Sequence, residues 1–174
     1  IQPIQALTNQ KVPVLNTIRN MQADGYTHVA EGVGWGLRVL SPGAPFRQGT
    51  SYNNEEVTKV MVLLTDGENT FNTERNHNGS TYTAYGFMKQ KRLGSDNYWS
   101  AVKAQNDLLR DACNNVKAED KGIVVYSFAY NVPSATQRSL IKSCASSPEK
   151  YFDPPSNAAL VRNFQQVADE LRRL

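Results

Sequence analysis

The chain has 174 residues, with 19 basic and 16 acidic side chains and a net charge of +3. This length fits one domain with a sizeable core, and so mild a charge, without a block of like charges, gives no reason to expect a nucleic-acid partner. No stretch is apolar for long enough to span a membrane and no signal peptide is recognisable. Since the sequence starts at Ile1 without a methionine, we expect a piece of a longer protein.

Two helices are predicted in the first 40 residues. Apolar residues recur at helical spacing from Leu7 to Met21, and the Asp24-Gly25 pair ends this first helix. A second helix is predicted to open at Thr27 and to run to about Leu40.

Three glycines lie inside the second predicted helix, and each costs roughly 1 kcal/mol relative to alanine. Gly32 and Gly36 are four residues apart, so they share one face and would let the helix approach a sheet or another backbone closely. A phosphate-binding loop is the alternative, although no strand precedes these glycines and their spacing is not G-x-G-x-x-G.

The most hydrophobic run of the chain, Val60 to Leu64, shows no polar alternation and predicts a strand of a parallel sheet, buried on both faces. The strand breaks into the polar turn that contains Asp66 and Gly67. A polar stretch over residues 71–98 follows, and it predicts a long surface loop.

The second half of the chain alternates helices with strands. Helices are predicted from about Trp99 to Lys117, from Ser134 onwards, and from about Asn157 to Leu174. Ser134 and Gln137 fit a capping box at the start of the middle helix. Strands are predicted at 123–129 and 151–152. This alternation indicates an α/β fold with right-handed crossovers and a mostly parallel sheet. Ligands of such sheets bind at the carboxyl ends of the strands, which is where Asp66 lies.

Thr27 and Asp66 are the candidate ligands of a metal ion. A threonine hydroxyl and an aspartate carboxylate are hard oxygen donors suited to Mg²⁺. The alternative is that Thr27 is a helix N-cap and that Asp66-Gly67 is only a turn.

Two long segments of the sequence, at 25–36 and at 59–69, resemble the second half of a von Willebrand factor type A domain. More narrowly, they resemble the TadG-like proteins of the tight-adherence (Flp) pilus assembly system. Further segments that match this subgroup are Trp35 to Pro42, Cys113 with Lys117, Gly122 to Tyr126, Cys144 to Ser146, and Tyr151-Phe152 with the closing helix. The resemblance spans essentially the whole chain, and it implies one partial domain over residues 1–174 with a loop insertion at about 71–98.

The resemblance implies a three-layer αβα, doubly wound sheet with a metal-ion-dependent adhesion site for Mg²⁺ or Mn²⁺. That site uses a D-x-S-x-S loop, a threonine and the aspartate of a T-D-G-like turn. Thr27 and Asp66 match the second and third elements, and the D-x-S-x-S loop is absent together with the first strands. Apart from the resemblance, Glu68 is a candidate for an acidic group behind the ligands. The strand at 59–65 would then have an exposed edge, open to another chain or to self-association.

The function that the resemblance implies is non-enzymatic binding of a protein partner, in the periplasm or elsewhere on the outer side of the inner membrane, with a membrane anchor upstream of this chain. From composition alone, Cys113 and Cys144 are equally compatible with buried thiols and with a disulfide. The oxidising compartment that the resemblance implies favours a bond between Cys113 and Cys144.

Overall fold

The computed structural model describes residues 2–72 and 79–173. Ile1, residues 73–78 of the predicted loop and Leu174 of the predicted last helix lie outside the described residues. The helices are α1 (Lys11–Arg19), α2 (Val29–Leu40), α3 (Tyr98–Val116), α4 (Ala135–Cys144) and α5 (Asn157–Leu171). The strands are β1 (Lys59–Thr65), β2 (Tyr82–Thr83), β3 (Gly86–Phe87), β4 (Ile123–Ala129) and β5 (Tyr151–Phe152).

Three of these strands form a parallel sheet in the order β1-β4-β5. All seven residues of β1 pair with β4, from Lys59 opposite Ile123 to Thr65 opposite Ala129. Helix α3 connects β1 to β4 and α4 connects β4 to β5, as expected for parallel neighbours that need crossover helices. The predicted α/β class with a parallel sheet is confirmed.

One face of the sheet is covered by α2, α3 and α4. Their buried apolar residues form a continuous core with alternate residues of β1 and β4: Val29, Ala30, Val33, Met61, Leu109, Cys113, Val116, Ile123, Val125, Leu140 and Cys144. A Cβ atom at Gly36 would lie 2.9 Å from the terminal methyl carbon of Met61. Gly36 therefore lets α2 approach the sheet closely, as its sequence position predicts, whereas Gly32 has no such neighbour within 4 Å.

The other face of the sheet is covered by α5. The ring of Phe128 stacks on Phe152 and on Phe164, with both centroid distances at 4.7 Å. The Tyr126 hydroxyl donates a 2.8 Å hydrogen bond to Glu170 Oε2. Helix α5 thus lies over β4 and β5, and of β1 only Val60 joins the apolar cluster beneath it.

The prediction that β1 is buried on both faces is wrong. Met61 packs in the core, but Val62 and Leu64, which point to the α5 side, are 41% and 46% exposed. The physical reason is the position of α5: β1 is the outer strand, and among the described residues the apolar cluster under α5 includes only Val60 from this side of β1.

Two further segments differ from the sequence prediction. Helix α1 begins at Lys11, well after Leu7, and none of its residues is buried. Pro13 is its third residue, where a missing backbone N–H costs no intrahelical bond. The loop at 71–98 contains the two-stranded β2–β3 hairpin and a 3₁₀ turn at Met88–Gln90.

Candidate functional site

The turn after β1 is held in shape by the hydroxyl of Thr65. This hydroxyl accepts a 3.3 Å hydrogen bond from Gly67 N and donates a 3.2 Å bond to Gly67 O. The Thr65 carbonyl accepts a 2.9 Å bond from Tyr130 N, which follows the neighbouring strand β4. The turn is therefore fixed to the carboxyl edge of the sheet.

Thr27 is bound to the segment that continues from this turn. Its backbone N–H donates to Thr70 Oγ1 at 3.2 Å, and Thr70 N donates back to Thr27 O at 3.0 Å. A Cβ atom at Gly67 would lie 3.5 Å from Thr27 Oγ1. The structure therefore brings together Thr27 and the Asp66-Gly67 turn, which are far apart in the sequence.

Asn69 connects the same turn to α2 and α3. Its side chain, 2% exposed, accepts a 2.9 Å hydrogen bond from Val29 N through Oδ1 and donates a 2.8 Å bond through Nδ2 to Asn106 Oδ1. It thereby satisfies one of the free N–H groups at the start of α2. The helix begins at Val29 with His28 in the flanking position, so Thr27 does not cap it, and the alternative reading of Thr27 as an N-cap is wrong.

Sequence reasoning missed Asn69. The signal that could have found it is a short amide side chain directly after a strand-ending turn, where an asparagine either bonds to local backbone or is buried with partners.

The donor oxygens at this corner make no hydrogen bond or ion pair with the residues that the structure describes. Thr27 is half-buried, while Asp66 and Glu68 are exposed. Within residues 2–72 and 79–173, no hydrogen bond or ion pair uses the Thr27 hydroxyl or the carboxylates of Asp66 and Glu68. These groups can accept an external ligand without breaking an existing contact.

A divalent cation would find only part of a coordination shell here. Among the described residues, no group of three or more His, Cys, Asp or Glu side chains is placed to hold a metal ion. The Thr27 hydroxyl and the Asp66 carboxylate are oxygen donors of the kind that Mg²⁺ binds, and waters commonly complete an Mg²⁺ shell. A complete site would therefore need donors from outside these residues.

His28 lies behind the corner, among aromatic and amide groups. Its Nδ1 is 2.5 Å from Gln105 Nε2, and its ring contacts Phe71 and Tyr85 at centroid distances of 5.4 and 6.2 Å. Burial lowers the pKa of His28, against a smaller raising effect of Glu31. Burial, followed by the charge and hydrogen bond of Glu31, raises the pKa of Tyr85 to about 12.

Two buried amide side chains, on α3 and α4, are not fully hydrogen-bonded. In the described part of the chain, Gln105 Oε1 and Gln137 Nε2 are fully buried and have no hydrogen-bond partner. Both residues lie on the inner faces of their helices, α3 and α4.

The same two helices are joined covalently. Cys113 in α3 and Cys144 in α4 form a disulfide, with a Cα–Cα distance of 5.0 Å, as the resemblance implies. Lys117 Nζ donates to Ser143 O at 2.5 Å and to Ala145 O at 3.3 Å, so a charged side chain binds the carboxyl end of α4 next to the bond.

Comparison with known proteins gives fold similarity only. No protein-family model matches the sequence, and no curated protein matches it. Two solved structures of the pilus adhesin SpaC from Lactobacillus rhamnosus GG are similar in fold to this chain, and one of them shows the adhesin in its open conformation. Their TM-scores are 0.53 and 0.54 at 20% sequence identity, over 91% and 90% of this chain. The chain spans about a fifth of the length of that adhesin. This protein therefore shares its fold with part of a pilus adhesin.

Proposed function

We propose that the chain is a partial von Willebrand factor type A domain of a TadG-like pilus assembly protein, and that it acts as a non-enzymatic protein-interaction module. Three observations support the proposal: the order and spacing of the motifs at 25–36 and 59–69, helices on both faces of a parallel sheet, and the fold shared with part of a pilus adhesin. On this proposal the layers are those of a doubly wound αβα fold whose first strands are supplied from outside the chain.

The observation that carries the proposal is the meeting of Thr27 with the Asp66-Gly67 turn at the carboxyl edge of the sheet. Their oxygen donors have no partner among the described residues, and the backbone around them is fixed by Thr65, Thr70 and Asn69. In the intact domain, Thr27 and Asp66 would hold an Mg²⁺ or Mn²⁺ ion, and a bound ion would supply a positive charge for an acidic residue of the partner. Glu68 would accept a hydrogen bond from water at the site.

Titration calorimetry with Mg²⁺ and Mn²⁺, first on the full-length protein and then on this chain, tests the proposal. We expect binding by the full-length protein, loss of at least tenfold in affinity on Asp66→Ala and on Thr27→Val, and weak or no binding by residues 1–174 alone. Glu56→Ala is the matched control, because Glu56 is exposed and precedes β1 at the opposite edge of the sheet. Full-length protein that binds neither ion contradicts the metal proposal.

The second candidate is an assembly domain that uses no metal and binds its partner through the loop at 71–98. The β2–β3 hairpin within that loop favours it, because the hairpin gives the loop a defined shape. In that case partner binding would survive EDTA and Asp66→Ala, and would be lost when the hairpin is shortened. A metal-dependent hydrolase is a weaker candidate, since no hydrogen bond or ion pair within the described residues joins Asp66 to a general base or a nucleophile.

The Cys113–Cys144 disulfide supports a place outside the cytoplasm, in the cell envelope or at the cell surface. Within the described residues, no helix is both long and apolar enough to cross a bilayer. Labelling of intact cells with a membrane-impermeant reagent tests this location, and protection of the domain in both intact and outer-membrane-permeabilised cells would contradict it.

A further inference from the structure

The loop between β1 and α3 is closed at its base and anchored at its tip. At the base, the buried ring of Phe71 contacts the ring of Tyr98 at a centroid distance of 6.1 Å, so the two ends of the loop meet. At the tip, in the turn of the β2–β3 hairpin, the ring of Tyr85 lies 6.2 Å from that of His28, and its hydroxyl interacts with the carboxylate of Glu31. A loop held at both places has a defined position against α2.

This anchoring sets the hairpin beside the candidate site. His28 and Glu31 follow Thr27 by one and four positions, at the start of α2. Since Tyr85 contacts both of them, the tip of the hairpin lies next to the corner that contains Thr27 and Asp66. None of these contacts uses β1 or its open edge.

The turn that follows the hairpin has a fixed backbone. Gln90 Oε1 accepts a 3.2 Å hydrogen bond from Phe87 N. Lys91 has a left-handed conformation, with φ at 52°, and its N–H donates to Met88 O at 2.9 Å. Three exposed cationic side chains lie on or next to this turn: Lys89, Lys91 and Arg92. The turn therefore presents its charges from a defined backbone.

These cations are only partly neutralised. Lys91 Nζ lies 3.6 Å from a carboxylate oxygen of Asp96, whereas Lys89 and Arg92 make no ion pair in the part of the chain that the structure describes. Residues 79–98 contain three basic side chains and one acidic side chain, a net charge of +2. A Cβ atom at Gly86 would lie 3.6 Å from the guanidinium carbon of Arg92. The positive charge thus reaches the tip of the hairpin, one residue from Tyr85.

We propose that the hairpin and the turn after it bind an acidic segment of the partner protein, one that carries several carboxylates. Arg92 offers the planar fork that fits a carboxylate, and Lys89 and Lys91 offer point charges. Tyr82, which is 66% exposed and lies edge-on to Phe87 at 5.2 Å, adds a rigid aromatic contact of the kind enriched in interfaces.

This inference rests on the proposed function for one point, the acidic residue of the partner at the corner of Thr27 and Asp66. Carboxylates that neighbour this residue in the partner would then meet the cations of the hairpin. The surface would extend recognition from a single acidic residue to a stretch of sequence, and it would select partners by the charge that flanks the first contact.

Fluorescence anisotropy with the full-length protein tests the proposal. The probe is a fluorescein-labelled peptide of about twelve residues that alternates Glu with Gly, compared with the same peptide carrying Gln for Glu. We expect Lys89→Gln/Lys91→Gln/Arg92→Gln to weaken binding of the Glu peptide at least about fivefold, with the difference shrinking at high salt. The charge-matched control is Lys11→Gln/Arg19→Gln/Arg162→Gln, three exposed positions of α1 and α5, which should weaken it less than about twofold.

A further variant tests the anchoring without changing any charge. Tyr85→Ala should weaken binding of the Glu peptide at least about threefold, because the cations lose their fixed position beside the corner. Amides of residues 80–93 should then exchange with deuterium faster, while those of β4 stay protected. Unchanged affinity in Tyr85→Ala with faster exchange of the loop would show that the position of the hairpin is irrelevant.

Two more arms separate this inference from the proposed function. Binding that is lost with EDTA and in Asp66→Ala, but is kept in the triple loop variant, would overturn the inference and leave the metal proposal standing. Binding that is lost in the triple loop variant, but is kept with EDTA and in Asp66→Ala, would support the cationic surface and overturn the metal proposal. Equal effects of the triple loop variant and its control, or tighter binding to phosphatidylglycerol vesicles than to the Glu peptide, would overturn an acidic protein segment as the ligand.

Discussion

At the scale of single residues, Asn69 shows how a buried amide can position a site whose donors lie elsewhere. It bonds the first N–H of α2 and the side chain of Asn106, and so holds the segment after Thr27 against the segment after Asp66. The corner is therefore stabilised by a residue that needs no contact with the ligand.

We expect Asn69→Ala to lower the free energy of unfolding by about 2 kcal/mol, because it leaves the buried N–H of Val29 and the half-buried side-chain oxygen of Asn106 without partners. Urea unfolding followed by circular dichroism measures this loss. The control is Asn114→Ala, an exposed position of α3, which should change stability by less than about 0.5 kcal/mol. A loss as small as the control's would show that Asn69 does not hold the corner.

The bond between Tyr126 and Glu170 predicts a pH-dependent contribution to stability. The hydrogen bond from Tyr126 is the main cause that lowers the pKa of Glu170, and burial, followed by that bond, raises the pKa of Tyr126 to about 12. Because the folded pKa of Glu170 lies below its unfolded value, the stabilisation is complete above the unfolded value of 4.5 and is lost as pH falls through the folded pKa.

We therefore expect Tyr126→Phe to be less stable than the unmodified chain by about 1 kcal/mol at pH 7. The difference should shrink as the pH falls below 4.5. Urea unfolding at pH 7, 5 and 3 measures it. A difference that is constant over this range would mean that the hydroxyl contributes by packing alone.

At the scale of elements, the helices and core strands could be predicted because their patterns are local. The periodicity of α5 and the run of β-branched residues in β4 predict their elements directly, and both are found. The exposure of Val62 and Leu64 could not be predicted, since a strand's apolar run does not tell which neighbouring element covers it. The pairing of Thr27 with the Asp66 turn could be expected from the resemblance, but the bond from Asn69 to Val29 joins residues 40 positions apart and leaves no local pattern.

The disulfide links two elements, the ends of α3 and α4, over a sequence separation of 31 residues. We expect Cys113→Ser/Cys144→Ser to lower stability by about 3 to 4 kcal/mol, mainly because the unfolded chain loses a constraint on a loop of this length. Thermal unfolding of the variant and of the unmodified chain under identical conditions measures the loss. Reduction of the unmodified chain should give a similar loss; a reduced protein with unchanged stability would show that the bond is not needed for folding.

At the scale of the whole molecule, stability is unevenly distributed. Buried residues concentrate in β4, α3 and α4, whereas α1 contributes none. The segment before Thr27 therefore adds little to the core.

We expect the amides of α1 to exchange with deuterium far faster than those of β4, and trypsin to cut first after Lys11 and Arg19, which bound this helix. Hydrogen exchange with mass spectrometry at low micromolar concentration measures the exchange rates of α1 and β4, and mass spectrometry of the tryptic fragments identifies the first cuts. Removal of residues 1–21 should then lower the free energy of unfolding by less than about 1 kcal/mol, as is usual for changes at the protein surface. Slow exchange in α1 would mean that the helix is protected by an interaction beyond those described.

The Cys113–Cys144 bond also determines how the chain would respond to mechanical load. Strand β4 lies inside the covalent loop, between the two bonded cysteines. When the two ends of the polypeptide are pulled apart, tension passes through the bond and bypasses the central strand. About 100 Å of contour length, 31 residues at roughly 3.3 Å each, stays out of the extension. A module of this kind would lengthen less under force when oxidised than when reduced, and its central strand would be the segment least exposed to the pull.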